Sequence, residues 1–267
     1  MTSMLPLSAM PHATRLGIRG VLADIDDTLS TQGRLTADAY TALERLRASG
    51  KLVIPITGRP AGWCDHIARM WPVDGVVGEN GAFYMHHDDA AGRLVKRFVA
   101  GAAERAANRS RLAAIGEAIL REVPGSALAS DQLYRETDLA IDFREDVPQL
   151  PRAAVDRIVA LMEAEGMTAK VSSIHVNGWF GNYDKLAMTR TLLADIFAVD
   201  VDAQRDNFVF VGDSPNDAPM FAFFPNAVGV ANVRPFLDRI DTTPAYMTQR
   251  EAGAGFVELA EFLLASI

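Results

Sequence analysis

The sequence predicts an α/β fold: a doubly wound, mostly parallel sheet carrying an inserted α+β segment. Three observations predict it. Short apolar runs without alternation read as strands covered on both faces: Val21-Leu22-Ala23, Leu52-Val53-Ile54-Pro55-Ile56, Gly75-Val76-Val77-Gly78 and Phe208-Val209-Phe210-Val211-Gly212. Helical patterns separate these runs, as parallel strands with right-handed crossovers require. Between residues 85 and 182 the strict strand–helix alternation stops, so a core is expected from 18–84 and 183–267, and a separate α+β cap domain from 85–182.

Taken in order, residues 1–17 carry scattered prolines and no periodicity. After the first strand, Thr36 is placed to cap a helix running to Ser49, with Gly50 as its stop. The second strand ends at Thr57-Gly58-Arg59-Pro60, and Pro60 suits the first turn of the next helix. Glu79-Asn80-Gly81-Ala82 closes the third strand. His86-His87-Asp88-Asp89 and Gly92 read as a hairpin or linker, because adjacent strand residues face opposite sides and the His pair makes a poor chelate. A long Ala- and Arg-rich helix follows, with Leu112, Ile115 and Ile119 inward and Arg105, Arg109 and Arg111 on a solvated face. Leu139 to Phe143 is a strand with one outward acid, Asp142. Val155, Ile158, Val159 and Met162 mark another helix. Val171 to Phe180 reads as two antiparallel strands or one long bent strand. The doubly wound pattern resumes with a helix from Lys185, the Phe208 strand, short units at Ala227–Ala231, Arg234–Ile240 and Ala245–Thr248, and a last helix with Phe256, Leu259, Ala260, Leu263 and Ile267 on one face.

Composition narrows the function. The 267 residues, 49% hydrophobic, support a large core or two modest ones. A formal charge of -8 argues against nonspecific nucleic-acid binding and against an anionic membrane surface. The single cysteine, Cys64, rules out an intrachain disulfide and reads as a small buried hydrophobe. No apolar run reaches a membrane span, and residues 1–14 lack the basic and apolar blocks of a signal peptide, so a cytoplasmic protein is expected.

The chemistry collects where strands end. Asp24-Ile25-Asp26-Asp27 places three carboxylates in four residues just past an apolar strand. Asp is common in turns, so this stretch alone is either a polar turn or a site. In a doubly wound sheet, however, it lies beside Thr57/Gly58 and Asp213/Asn216/Asp217 at other strand ends, with Lys185 opening the returning helix. Such a set suits magnesium, which takes carboxylate oxygen, water and phosphate; no His or Cys cluster serves a softer metal. One Asp beside a metal-bound phosphate can act as nucleophile, while a carboxylate two residues on protonates the departing alcohol.

These residues resemble a known family. Asp24-Ile-Asp-Asp-Thr28, Thr57-Gly-Arg59, Lys185 and Gly212-Asp-Ser-Pro-Asn-Asp217 resemble, in order, the four motifs of the haloacid dehalogenase (HAD) superfamily. The insert between the second and third resembles the cap of subclass IIB, which includes Cof-type and sugar-phosphate phosphatases. The resemblance implies Asp24 as nucleophile and metal ligand, Asp26 as general acid/base with its carbonyl on the metal, and Lys185 as charge neutraliser. It implies Thr57, Gly58 and Asn216 as phosphate-binding, and Asp213 and Asp217 as further metal ligands. Asp27 stands where Gly is commoner, and Leu186 where Gly often follows the lysine. Arg59 would reach substrate or pair with a surface acid. Arg135, His175 and Asn177 border cap strands and are candidates for sugar contacts, against the ordinary reading of a solvated outer face. The implied function is a magnesium-dependent phosphomonoesterase acting on a small phosphorylated metabolite, a sugar phosphate above all, through an aspartyl-phosphate, by a monomer or homodimer. The alternatives are a phosphosugar mutase of phosphomannomutase type and a non-enzymatic phospho-acceptor module.

Overall fold

The computed structural model describes residues 4–265, and Ile267, expected on the apolar face of the last helix, lies outside them. Its main sheet is parallel throughout, in the order Leu5–Pro6, Tyr246–Met247, Val228–Gly229, Phe208–Gly212, Gly20–Ala23, Leu52–Pro55. Successive residues of a strand go to opposite faces, and two cores result. Val21, Ala23, Val53, Val209 and Val211 pack under the helices Ala37–Ala48, Ala61–Met70 and Ala252–Leu264. Leu22, Ile54, Phe208 and Phe210 pack under Lys185–Phe197 and Ala218–Phe223. Covering both faces is what removes polar residues from these strands, and the predicted α/β class is borne out.

The strand Val76–Gly78 joins this sheet through one parallel bridge, Ile56 to Val77, and then pairs antiparallel with Phe83–Asp88, which pairs with Arg93–Phe98. Phe83 and Met85 belong to the first core, with Leu94 and Phe98 packed against it. The residue 85 expected to open the insert thus lies inside a hairpin of the main layer. The two histidines there go separate ways: His86 Nδ1 lies 2.7 Å from the Asp74 carbonyl, and His87 Nδ1 2.8 Å from Asp89.

A third apolar cluster forms beyond this hairpin. Leu112, Ile115 and Ile119 of the helix Ala102–Glu122 and Val155, Ile158 and Met162 of Arg152–Ala164 cover one face of an antiparallel sheet. The strand order is Thr168–Val171, His175–Trp179, Asp138–Asp142, Ala127–Leu128. The stretch from Val171 is accordingly part of a strand pair, with Val171 opposite Val176. Leu139, Ile141 and Val176 point into the cluster, so Asp138, Asp142, His175 and Asn177 occupy the other face. That face is buried against the strand ends of the main sheet rather than solvated. Asp142, expected outward, is 1% exposed and accepts the backbone N–H groups of Arg144, Glu145 and Asp146. A turn whose amides would otherwise be unpaired explains why this acid is inside.

Short elements are tighter than expected. Ala231–Arg239 is a 3₁₀ helix containing Pro235, which cannot donate to a regular helical ladder. Thr36 caps as predicted, accepting from Ala39 N at 3.3 Å. No described helix is long and apolar enough to cross a membrane.

Candidate active site

The strand Gly20–Ala23 ends in the middle of the sheet, and Asp24 N donates to the Val211 carbonyl of its neighbour at 2.9 Å. This bond fixes Asp24 beside Asp213, which follows the strand Phe208–Gly212. Asp217 then comes back over Gly212. A Cβ at Gly212 would stand 2.3 Å from Asp217 Oδ2, so only glycine admits this return. Ser214 and Asp217 form a capping box, and Asp217 Oδ2 also accepts from Asp213 N at 3.1 Å. Asp217 Oδ1 is left for Lys185.

Lys185 is buried at the first turn of its helix. Its Nζ donates to Asp24 Oδ1 at 2.6 Å and Asp217 Oδ1 at 2.7 Å. The helix start is fixed by Asp184, which accepts from Ala187 N at 2.7 Å. Gly81, at φ +104, lies against it; a Cβ there would stand 2.0 Å from the Asp184 carbonyl oxygen.

Asp24, Asp213 and Asp217 each offer an oxygen within 4.8 Å of the others. Burial raises the Asp24 carboxyl well above its ordinary range; Lys185 opposes this, and Asp217 and Asp26 add to it. Burial, then Asp24, Asp217 and Asp27, raise Asp213 likewise. For Lys185, burial would lower the ammonium, but Asp217 and Asp24 outweigh it and hold it protonated. One ammonium among three buried carboxylates leaves negative charge uncompensated. The site fits a divalent cation with hard oxygen ligands.

Asp26 points elsewhere. Arg59 Nε donates to its two oxygens at 2.9 and 3.0 Å. Asp27 holds φ +55, a left-handed conformation that accounts for glycine being usual at this place. Thr57 is fully buried and its Oγ1 accepts from Arg59 N at 3.0 Å. Gly58 lines a nearly closed cavity of about 10 Å³ together with Asp24, Asp26, Arg59 and Asn216 from the core side. Ser172, Ser173, His175 and Asn177 line it from the inserted sheet.

Arg59 is 3% exposed; besides Asp26 it holds the buried Asp131 at 3.2 Å and the partly exposed Glu145 at 2.6 Å. Arg135 does not line the cavity. Its guanidinium bonds Asp131 and Asp138 and donates to the Gly58 carbonyl at 2.9 Å. Asn177 Nδ2 donates to Asp138 at 3.1 Å, and His175 Nε2 lies 2.9 Å from Glu145.

Several residues of this region were missed in the sequence. Asn232 Nδ2 donates to Asp213 Oδ2 at 3.2 Å and to the Asp27 carbonyl at 2.9 Å. Asn80 Nδ2 is buried without a partner beside Gly58. Glu79, fully buried, accepts from Ala61 N and Glu136 N at 2.9 Å and from Thr137 N and its hydroxyl. It bolts the first turn of Ala61–Met70 to the inserted segment. Only the neighbourhood of Gly81 hinted at Asn80 and Glu79; Asn232 had no local signal.

Residues 21–99 match the haloacid dehalogenase-like hydrolase family. The match spans the first two of the four motifs, Asp24–Thr28 and Thr57–Arg59, and is similarity over that part of the chain. Its fold is similar over nearly the whole length to solved structures. Thermoplasma acidophilum protein 0175 has a TM-score of 0.69 at 17% identity, with 92% of this chain and 98% of that one covered. The sucrose-phosphatase of Synechocystis sp. PCC6803, solved with sucrose and phosphate, has a TM-score of 0.61 at 18% identity, covering 91% and 97%. A sugar phosphatase of HAD subclass IIB has a TM-score of 0.57 at 13% identity, covering 86% and 93%. No curated protein sequence matches the chain.

Proposed function

We propose that the chain is a magnesium-dependent phosphomonoesterase that hydrolyses a small phosphorylated metabolite, a sugar phosphate above all, through an aspartyl-phosphate. One observation carries the reading: Lys185 Nζ bridges Asp24 and Asp217 in a buried carboxylate cluster that includes Asp213, at the carboxyl ends of parallel strands. Asp24, Asp213 and Asp217, with the Asp26 carbonyl, would hold the cation. When bound it supplies positive charge that lets an anionic nucleophile approach an anionic ester.

Asp24 attacks phosphorus, and the bond from phosphorus to the alcohol oxygen breaks with its electron pair on that oxygen. Asp26 gives the oxygen a proton. Water then attacks the phosphoryl group on Asp24 while Asp26 takes back a proton, releasing inorganic phosphate and free Asp24. Thr57, Gly58 and Asn216 hold the phosphoryl oxygens, joined by Asn80. Asp26 is gripped by Arg59 in the closed state, so it must exchange that contact for the leaving oxygen. The segment 85–182 acts as the cap, its movable part beginning after the hairpin that ends at Phe98. A 10 Å³ cavity admits no ester, so the cap opens for entry and shuts water out during transfer. Similarity in fold to the sucrose-phosphatase supports a sugar leaving group. The protein is placed in the cytoplasm, as a monomer or homodimer.

The test is phosphate release from a panel of esters with magnesium, with chelator, and with Asp24→Asn. Release is expected only when both the metal and Asp24 are present. Undiminished release by Asp24→Asn would overturn the nucleophile.

A further inference from the structure

We propose that Glu145 sets the substrate class: by neutralising Arg59 on the leaving-group side of the cavity, it restricts the site to esters of uncharged polyols and disfavours those carrying a second anionic group. This rests on the phosphomonoesterase reading above. Among the described residues, Arg59 is the one permanently charged cation lining the cavity; Lys185 is not in its lining and stands between Asp24 and Asp217. An unpaired guanidinium there would attract a carboxylate or second phosphate on the alcohol half. Arg59 is not unpaired. It holds Asp26 at 2.7 Å, Glu145 at 2.6 Å and Asp131 at 3.2 Å. Arg135 behind it is likewise matched by Asp131 and Asp138. The two guanidinium groups thus face Asp26, Asp131, Asp138 and Glu145, and this wall carries net negative charge.

Among these acids, Glu145 is the one built for selection. Asp26 belongs to the chemistry, and Asp131 and Asp138 are buried in the contact with Arg135. The Glu145 side chain keeps 24% of its surface exposed and stands behind the cavity lining, in contact with Arg59 and His175, which do line it. Its loop is held in place by Asp142, which accepts the amides of Arg144 and Glu145 at 2.8 and 2.7 Å. His175 Nε2 is on its other side at 2.9 Å. Burial would raise its carboxyl, but His175 and Arg59 beside it bring it down to about 2, so it is ionised at working pH. An incoming carboxylate would find the Arg59 guanidinium already paired with this charge.

Matched pairs of esters test the proposal: glycerol phosphate against phosphoglycerate, and sorbitol phosphate against phosphogluconate, each pair differing by a terminal hydroxymethyl or carboxylate. For the wild type with magnesium, kcat/KM is expected to favour the neutral ester at least about tenfold, since like charges at this range repel strongly in a dry site. In Glu145→Gln the ratio should shrink by about tenfold through faster turnover of the acidic ester, as removing a repulsive element predicts. Glu145→Ala gives the same comparison if the Gln variant loses its circular dichroism signal. A wild-type ratio near one or inverted, or a ratio unmoved by both variants, overturns the proposal while leaving the phosphatase reading intact. No release from any ester with magnesium overturns both.

Discussion

At the level of single residues, the site is a contest between burial and charge. Three buried carboxylates share one ammonium, and burial and mutual repulsion push Asp24 and Asp213 above their ordinary range. A carboxyl raised in the fold costs stability once it ionises, so without a divalent cation stability is fullest below the unfolded value near 4 and falls as pH rises through the folded values. Magnesium held by these oxygens would compete with protons for them, so its stabilising effect should grow with pH. Melting curves with and without the ion, from acid to neutral pH, check this; a gain that shrinks towards neutral pH would contradict it. Asp213→Asn should raise the melting temperature of the metal-free protein and reduce the gain from magnesium. Asp27 is a different case, with strain at φ +55 beside two acids. Asp27→Gly is expected to stabilise by about 1 kcal/mol, raising Tm by about 2–4 °C; an unchanged or lower Tm would show that the Asp27 side chain contributes more than its backbone costs.

Elements place these residues through close approaches that only glycine permits. Gly212 lets Asp217 fold back onto the strand end, and Gly81 lets the turn after Val76–Gly78 touch the start of Lys185–Phe197. Gly81→Ala puts a methyl group against the Asp184 carbonyl at a left-handed φ, so we expect at least about 2 kcal/mol of lost stability and a displaced Lys185. Chemical denaturation reads the first, and a fall in kcat larger than any rise in KM reads the second. The strand ends were legible in sequence because buried parallel strands turn polar abruptly at Asp24, Thr57 and Asp213. The inserted sheet was less legible. His175, Asn177 and Asp142 alternate with apolar residues exactly as a solvated face would, and sequence cannot distinguish a face turned to water from one turned to a site. Nor could it reveal that Phe83–Phe98 continues the main layer, because a hairpin with one buried strand looks the same at either address.

Across the whole molecule, two bodies of ordered structure meet over a nearly closed cavity, held by Arg59, Arg135 and Glu79. These contacts span long sequence distances, Arg59 to Glu145 among them, and no local pattern announces them. Glu79→Gln keeps the shape of the bolt but weakens its acceptors for Glu136, Thr137 and Ala61. Faster hydrogen exchange confined to residues 131–138 and the first turn of Ala61–Met70 is expected, and unchanged protection there would contradict the role of Glu79. A larger cleft of about 1040 Å³, lined by Arg69, Lys96 and Leu133, lies on the far side of the Arg135 contact and touches none of the clustered carboxylates. Size alone would have pointed to the wrong place, whereas converging charge points to Asp24.

The most direct measurement is mass spectrometry of the protein quenched in acid during turnover with magnesium. The account predicts a phosphoryl group on the peptide carrying Asp24, absent with chelator and absent in Asp24→Asn. Turnover with the phosphoryl group on another residue, or equal release by Asp24→Asn, would contradict it.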